Sequence, residues 1–173
     1  MSKKELNKLS IFKSLYEEDE NLYNYVLKYI DKAKKRLANI EDVFEEYTDH
    51  SWNHSEKILK LGNKLLSENT ISKWEKAVFI LSACYHDIGM YCNEKNLNEI
   101  INSQGYRDSY SYLRENILSM NQIDCSDEDV INKFIQMEFI RRRHGQRSYD
   151  YIKREYSMNK EKSFYKRVYL WEA

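Results

Sequence analysis

Proline is absent from this chain of 173 residues, and only 4 residues are glycine. Average usage would give roughly eight prolines and twelve glycines. Both residues interrupt helices and form tight turns, so their scarcity favours long, uninterrupted α-helices. The length suits one domain with a real core, or one domain preceded by a helical extension, and we do not expect a second independent core.

The charge of the chain is balanced, with 28 Lys and Arg against 28 Asp and Glu. Proteins that bind nucleic acid through its phosphates normally carry a marked basic excess, so a long nucleic acid is not an expected partner. The lysine-rich N terminus lacks an apolar signal region, and no apolar run approaches the length of a membrane span. We therefore expect a cytoplasmic protein with no membrane partner.

The three cysteines, Cys84, Cys92 and Cys125, are odd in number and form no CxxC pair. This pattern fits reduced thiols in the cytoplasm better than a disulfide framework. The alternative is a zinc site that uses Cys84 and Cys92 around His86.

Helical signals are clearest in the first half of the chain. Apolar residues recur at helical spacing from Leu22 to Ile40, which predicts an amphipathic helix. Ser72 followed by Glu75 forms a capping box, and the helix it opens is apolar on almost every side. We expect this helix to be the buried centre of the fold and Gly89 to cap its C-terminal end.

The second half is predicted to be helical with one polar interruption. The segment from Tyr91 to Tyr106 is rich in Asn and predicts a loop with a short helix at 97–101. A helix is expected over 108–118. Ser126 or Asp127 then caps a long last helix, whose first turn is acidic as the helix dipole favours.

All four histidines fall in three short motifs. In the first motif, helical spacing predicts that both histidines continue a core-facing line: His50, His54, Ile58, Leu61 and Leu65. The pair His86–Asp87 closes the central helix. His144 lies on the inward face of the last helix, between Arg141 and Arg147. A single inward-facing histidine is usually a core residue whose ring nitrogens are hydrogen-bonded. Three histidine-containing motifs together, however, favour a functional site.

An adjacent histidine and aspartate give a metal ion two different ligands, an imidazole and a carboxylate, from one rigid point. At this point the sequence resembles the HD-domain superfamily of metal-dependent phosphohydrolases. The resemblance rests on His54-Ser55 early in one helix and on His86-Asp87-Ile88-Gly89 at the end of the next core helix. The chain is most similar to the HD-CE subgroup. This similarity rests on the run Tyr47-Thr48-Asp49-His50 before these motifs and the run Arg142-Arg143-His144-Gly145-Gln146-Arg147-Ser148 after them.

The resemblance implies an all-α, HD-like helical bundle over residues 45–173, with a helical extension over residues 1–44. It also implies that His54, His86 and Asp87 bind a divalent metal ion, which ligand type alone does not identify among Mn, Fe, Mg and Zn. The implied function is a phosphohydrolase that acts on a nucleotide or another small phosphate ester through metal-activated water.

The fourth ligand of the superfamily is an aspartate on a later helix, and the sequence does not clearly supply it. Asp150, the only aspartate after His144, does not match the expected position. Either the true ligand lies beyond Ala173, so that the domain is incomplete at its C terminus, or the site is defective. A defective site would make the chain a catalytically silent HD-like module that binds a nucleotide or a partner protein.

The remaining motif residues have expected roles in substrate binding and turnover. His144 is expected to bind phosphate or to protonate the leaving oxygen, and Arg141 or Arg147 to neutralise charge on the phosphoryl group. His50 and Arg143 are expected to contact the substrate. The alternatives are a salt-bridged helix face for the arginines and a local hydrogen bond for His50. Aromatic residues near the C terminus also make a homodimer a candidate assembly.

Overall fold

The structure is a computed structural model that describes residues 3–38, 51–66, 71–119 and 127–158. Within these residues it contains α-helices and a 3-10 helix and no strand, which confirms the predicted all-α class. The helices are α1 (Lys3–Leu6), α2 (Ser10–Glu18), α3 (Glu20–Leu37), α4 (Trp52–Leu65), α5 (Lys73–Tyr85), the 3-10 helix (Ile88–Met90), α6 (Glu94–Ile101), α7 (Gln104–Leu118) and α8 (Glu128–Met158).

The N-terminal helices pack against α5 in the largest hydrophobic cluster of the described residues. Phe12 of α2, Ile30 of α3 and Ile80 of α5 are fully buried and belong to this cluster. Burial of apolar area is the main favourable term in folding, so these helices stabilise one another. The predicted division between residues 1–44 and 45–173 stays a prediction, although residues from both parts share this core.

A buried lysine fastens α2 to α5. Lys76 is 1% exposed, and its Nζ donates one hydrogen bond to Ser14 Oγ over 2.6 Å and another to Glu18 Oε1. The bond from Lys76 lowers the pKa of Glu18. Burial of a charged side chain is strongly unfavourable unless the charge is paired and hydrogen-bonded, as it is here.

The central helix begins as the sequence predicts and ends differently. Ser72 Oγ accepts a hydrogen bond from the Glu75 amide over 3.3 Å, and Glu75 Oε2 accepts one from the Ser72 amide over 2.7 Å. The prediction that Gly89 caps the C-terminal end of this helix was wrong, because the C-cap is His86. The chain instead stays right-handed at His86 and continues into the 3-10 helix.

The buried face of α4 differs from the predicted one. The predicted line was wrong for Leu61 and Leu65, which are 57% and 75% exposed. The buried residues of α4 are Ser55, Leu59 and Gly62. A Cβ on Gly62 would lie 1.9 Å from Cζ of Phe79, so the absence of a side chain there lets this ring of α5 pack against α4.

The predicted polar loop after the central helix is mostly helical. Asn93 Oδ1 accepts a hydrogen bond from the Asn96 amide over 2.8 Å and starts α6 earlier than predicted. Ser103 Oγ accepts one from the Tyr106 amide over 3.2 Å and starts α7 at Gln104 rather than near residue 108. Both corrections come from N-caps that a reading for apolar periodicity does not detect.

The long helix α8 packs along the 3-10 helix and α7. Asp127 Oδ1 accepts a hydrogen bond from the Asp129 amide over 2.9 Å, as expected for the predicted N-cap. Ile135 of α8 is buried against Leu113 of α7, and Ile140 lies in a separate cluster with Met90 of the 3-10 helix. None of the helices described here combines the length and the apolar character that crossing a bilayer requires.

Candidate metal centre

Three imidazoles surround one buried carboxylate. Asp87 is 3% exposed. Its Oδ2 lies 2.9 Å from Nε2 of His86 and 3.7 Å from Nε2 of His54, whereas its Oδ1 lies 3.5 Å from Nε2 of His144. The structure thus brings the predicted ligands His54, His86 and Asp87 together with His144.

Each of these residues has a defined place in the helical framework. His54 lies in the first turn of α4, where Ser51 Oγ accepts a hydrogen bond from the Asn53 amide over 3.2 Å and caps the helix. His86 is the C-cap of α5 and Asp87 the N-cap of the 3-10 helix. His144 projects from the middle of α8. Three helices and one turn therefore position the side chains.

The donor atoms are compatible with a divalent cation. One ligand atom each from His54, His86 and Asp87 lies within 4.8 Å of the others. Nδ1 of His86 lies 3.2 Å from the carbonyl oxygen of Ala83, which can only accept, so Nδ1 carries the proton. In a neutral imidazole this leaves the Nε2 lone pair directed at the centre, as in metal sites where a backbone carbonyl orients the ligand histidine.

The carboxylate also affects the protonation of the site. The hydrogen bond to Asp87 raises the pKa of His86, and this effect outweighs the opposing effect of burial. A cation and a proton therefore compete for Nε2 of His86.

Hydrogen bonds from α8 hold the backbone that carries the His-Asp pair. The Gly89 amide donates to Ser148 Oγ over 2.9 Å, and Ser148 Oγ donates to the carbonyl of His86 over 2.8 Å. Arg147 donates from Nε to the carbonyl of Gly89 over 2.7 Å and from Nη2 to that of Tyr91 over 2.8 Å. No role was predicted for Ser148, although its place in the third motif was a usable signal.

A comparison with family models matches the HD-CE model over residues 44–170. The chain belongs to the HD-CE family. The match includes His54, His86, Asp87 and His144, and it confirms the resemblance that the motifs indicated. Neither a curated protein nor a solved structure matches the chain.

The arginine run of this HD-CE domain is largely engaged within the protein. Arg141 donates from Nε and Nη2 to Glu138 over 2.6 and 2.7 Å, and Arg142 Nε donates to the same carboxylate over 2.7 Å. The hydrogen bond from Arg141 lowers the pKa of Glu138 even though Glu138 is buried. The guanidinium of Arg143 lies 4.8 Å from the ring centre of Phe139. The catalytic and substrate-binding roles expected of Arg141, Arg143 and Arg147 stay predictions.

Other candidate residues of the HD-CE domain lie apart from the centre. Asp150 accepts a hydrogen bond from Gln146 over 3.1 Å and does not join the three ligands found among the described residues. Cys84 and Cys92 do not join them either, and burial raises the pKa of the Cys84 thiol to about 12. The expected substrate contact His50 lies outside the described residues.

Proposed function

We propose that this HD-CE protein is a metal-dependent phosphohydrolase that acts on a nucleotide or another small phosphate ester. The observation that carries the proposal is the meeting of ligand atoms from His54, His86 and Asp87 within 4.8 Å, with His144 on the opposite side of the carboxylate. HD domains typically bind divalent metals, and the donor set fits such an ion. A divalent cation at these side chains supplies Lewis acidity and an activated water molecule.

The two carboxylate oxygens of Asp87 face different histidines. Oδ2 faces the ligand histidines His54 and His86, and Oδ1 faces His144. Because the carboxylate is buried and Ser148 holds the backbone at His86 and Gly89 on either side of it, it keeps this orientation without a substrate. Such preorganisation lowers the free-energy cost of assembling the site during a reaction.

His144 is the group best placed for proton transfer. Its Nδ1 lies 2.5 Å from the carbonyl of Arg141, so this nitrogen carries a proton and points away from the centre. Nε2 is then the ring atom available to the substrate, and it lies 3.5 Å from Oδ1 of Asp87. In this proposal, His144 binds the phosphate or donates a proton to the leaving oxygen.

The second candidate is a catalytically silent HD-like module that binds a nucleotide or a partner protein. It is favoured by the limited ligand set, because the described residues offer one group of three ligands, and Asp150 is directed to Gln146 instead. The two candidates differ in turnover and not in fold.

The first experiment is elemental mass spectrometry of the chain purified without chelators, with and without added Mn, Fe, Mg or Zn. The matched variants are the His54→Ala/His86→Ala double variant and Lys64→Ala, an exposed substitution on the same helix as His54. We expect near-stoichiometric metal in the wild type and in Lys64→Ala, and loss of metal in the double variant. Wild-type protein that stays empty with every ion would overturn the proposal.

The metal-loaded protein is then assayed with a panel of nucleotides and phosphodiesters. Hydrolysis that disappears in the double variant supports the phosphohydrolase. Bound metal without hydrolysis of any compound, together with saturable nucleotide binding, supports the silent module instead. Circular dichroism of each variant distinguishes loss of the metal site from unfolding of the protein.

A further inference from the structure

A cavity of about 310 Å³ lies beside Gly89 and is lined by residues from several helices. Four of them are arginines: Arg36 of α3 and Arg143, Arg147 and Arg154 of α8. The histidines and Asp87 of the metal centre do not line it. Its size falls in the range of pockets that bind small molecules.

The positive charge in this cavity exceeds the negative charge. The cavity is lined by only two carboxylates, Glu99 and Asp150, compared with four guanidinium groups. In the described part of the chain, no carboxylate lies within ion-pair distance of any of the four arginines. Because the four positive charges exceed the two negative ones and repel one another, an anion bound here would be stabilised electrostatically.

Arg36 is the most constrained of the four arginines. Its guanidinium lies between two tyrosine rings, 4.3 Å from the centre of Tyr91 and 4.2 Å from that of Tyr151. Its Nε is buried and has no hydrogen-bond partner among the described residues. Burial lowers the pKa of Arg36, and the nearby charges of Arg147 and Arg154 add to this effect. A buried donor without an acceptor costs free energy in a folded protein.

Arg147 is held in place by the protein itself. Its Nε and Nη2 donate to the carbonyls of Gly89 and Tyr91, which fixes the plane of the guanidinium. Arg143 and Arg154, by contrast, are exposed. The cavity is thus lined by two guanidinium groups that the protein holds in place and two on exposed side chains, an arrangement that suits a phosphate with several acceptor oxygens.

We propose that this cavity binds the phosphate group of a small anionic ligand, at a site separate from the metal centre. Guanidinium groups donate paired, charge-assisted hydrogen bonds that match the geometry of phosphate oxygens. The proposal does not depend on hydrolysis or on a bound metal ion. Two of the four arginines, Arg36 and Arg154, have no expected role in the proposed phosphohydrolase reaction.

The test is isothermal titration calorimetry with inorganic pyrophosphate on the full chain, in a buffer that contains a chelator. The chelator removes metal-mediated binding, so failure of the metal proposal does not affect the result. The variant Arg143→Gln/Arg154→Gln changes only the exposed pair. The control Lys13→Gln/Arg107→Gln removes the same two charges from exposed residues away from the cavity.

We expect saturable binding to the wild type, at least about tenfold weaker binding to Arg143→Gln/Arg154→Gln, and little change in the control. Circular dichroism verifies that the variants are folded, and Arg154→Gln alone replaces the double variant if that one unfolds. The proposal is overturned by absent wild-type binding or by equal weakening in the control. It is also overturned if His54→Ala/His86→Ala abolishes binding, because the pyrophosphate would then occupy the metal centre.

Discussion

Ser148 holds Gly89 from a position 59 residues later in the chain, because its Oγ accepts the Gly89 amide hydrogen over 2.9 Å. The same oxygen donates to the carbonyl of His86 over 2.8 Å, so one side chain of α8 binds both sides of the turn that carries Asp87. The position of the buried carboxylate therefore depends on how closely α8 approaches this turn.

Gly89→Ala should disrupt the close packing of α8 against the turn that carries Asp87. A Cβ at residue 89 would lie 2.2 Å from the carbonyl oxygen of His144 and 2.5 Å from the amide of Ser148, and these backbone atoms cannot move without shifting α8. We expect a loss of about 1–3 kcal/mol in the free energy of unfolding, measured by urea denaturation, and weaker metal binding.

Gly145→Ala is the matched control for this substitution. A Cβ there meets no atom within 4 Å, and the residue lies in the exposed middle of α8. We expect it to stabilise the protein by up to about 1 kcal/mol, because alanine has the higher helix propensity. Equal destabilisation by both substitutions would contradict the role of close packing at Gly89.

Ser148→Ala should weaken the same contact without steric clash. It leaves the buried amide of Gly89 without its acceptor, at an expected cost of about 1–3 kcal/mol in urea denaturation. Ser109→Ala is the control, because Ser109 Oγ makes only a local hydrogen bond to the carbonyl of Gly105 over 2.7 Å. If both variants were equally stable, Ser148 would not brace the turn.

His144→Gln should separate metal binding from turnover. Nε2 of His144 faces Asp87 Oδ1, whereas the other two histidines face Oδ2. We expect the variant to keep its metal and to lose about 10²–10⁴-fold in kcat on whichever phosphate ester the wild type hydrolyses. Loss of metal comparable to that of His54→Ala/His86→Ala would instead make His144 a ligand.

Lys76→Met should reduce stability in a way that depends on pH. At neutral pH we expect a cost of about 1 kcal/mol, because the partly exposed Glu18 can regain water. The pKa of Glu18 is lowered in the folded protein, so its contribution is present above the ordinary value of 4.5 and is lost as the pH falls through the lowered pKa.

The difference in unfolding free energy between wild type and Lys76→Met should therefore shrink in urea titrations below pH 4.5. Lys64→Met, an exposed substitution on α4, should show no such trend. A difference that stays constant with pH would show that the ion pair does not contribute through Glu18.

Local signals in the sequence predicted much of the fold. The capping box at Ser72 and Glu75 and the cap at Asp127 involve contacts within four residues, so the residues that form them can be read directly. Periodicity was less reliable for α4, where the buried line contains Ser55 and Gly62. The presence of Phe79 on the neighbouring helix decided which face of α4 is covered.

By itself, the sequence determined the helical class, the main helices and the His-Asp pair with its accompanying histidines, because these follow from propensity, capping and spacing along one segment. Only the tertiary structure decided that His144 faces Oδ1 of Asp87, that Ser148 braces the turn, and that four arginines share a cavity. These contacts join residues far apart in the chain, and their geometry depends on how closely helices pack rather than on local pattern.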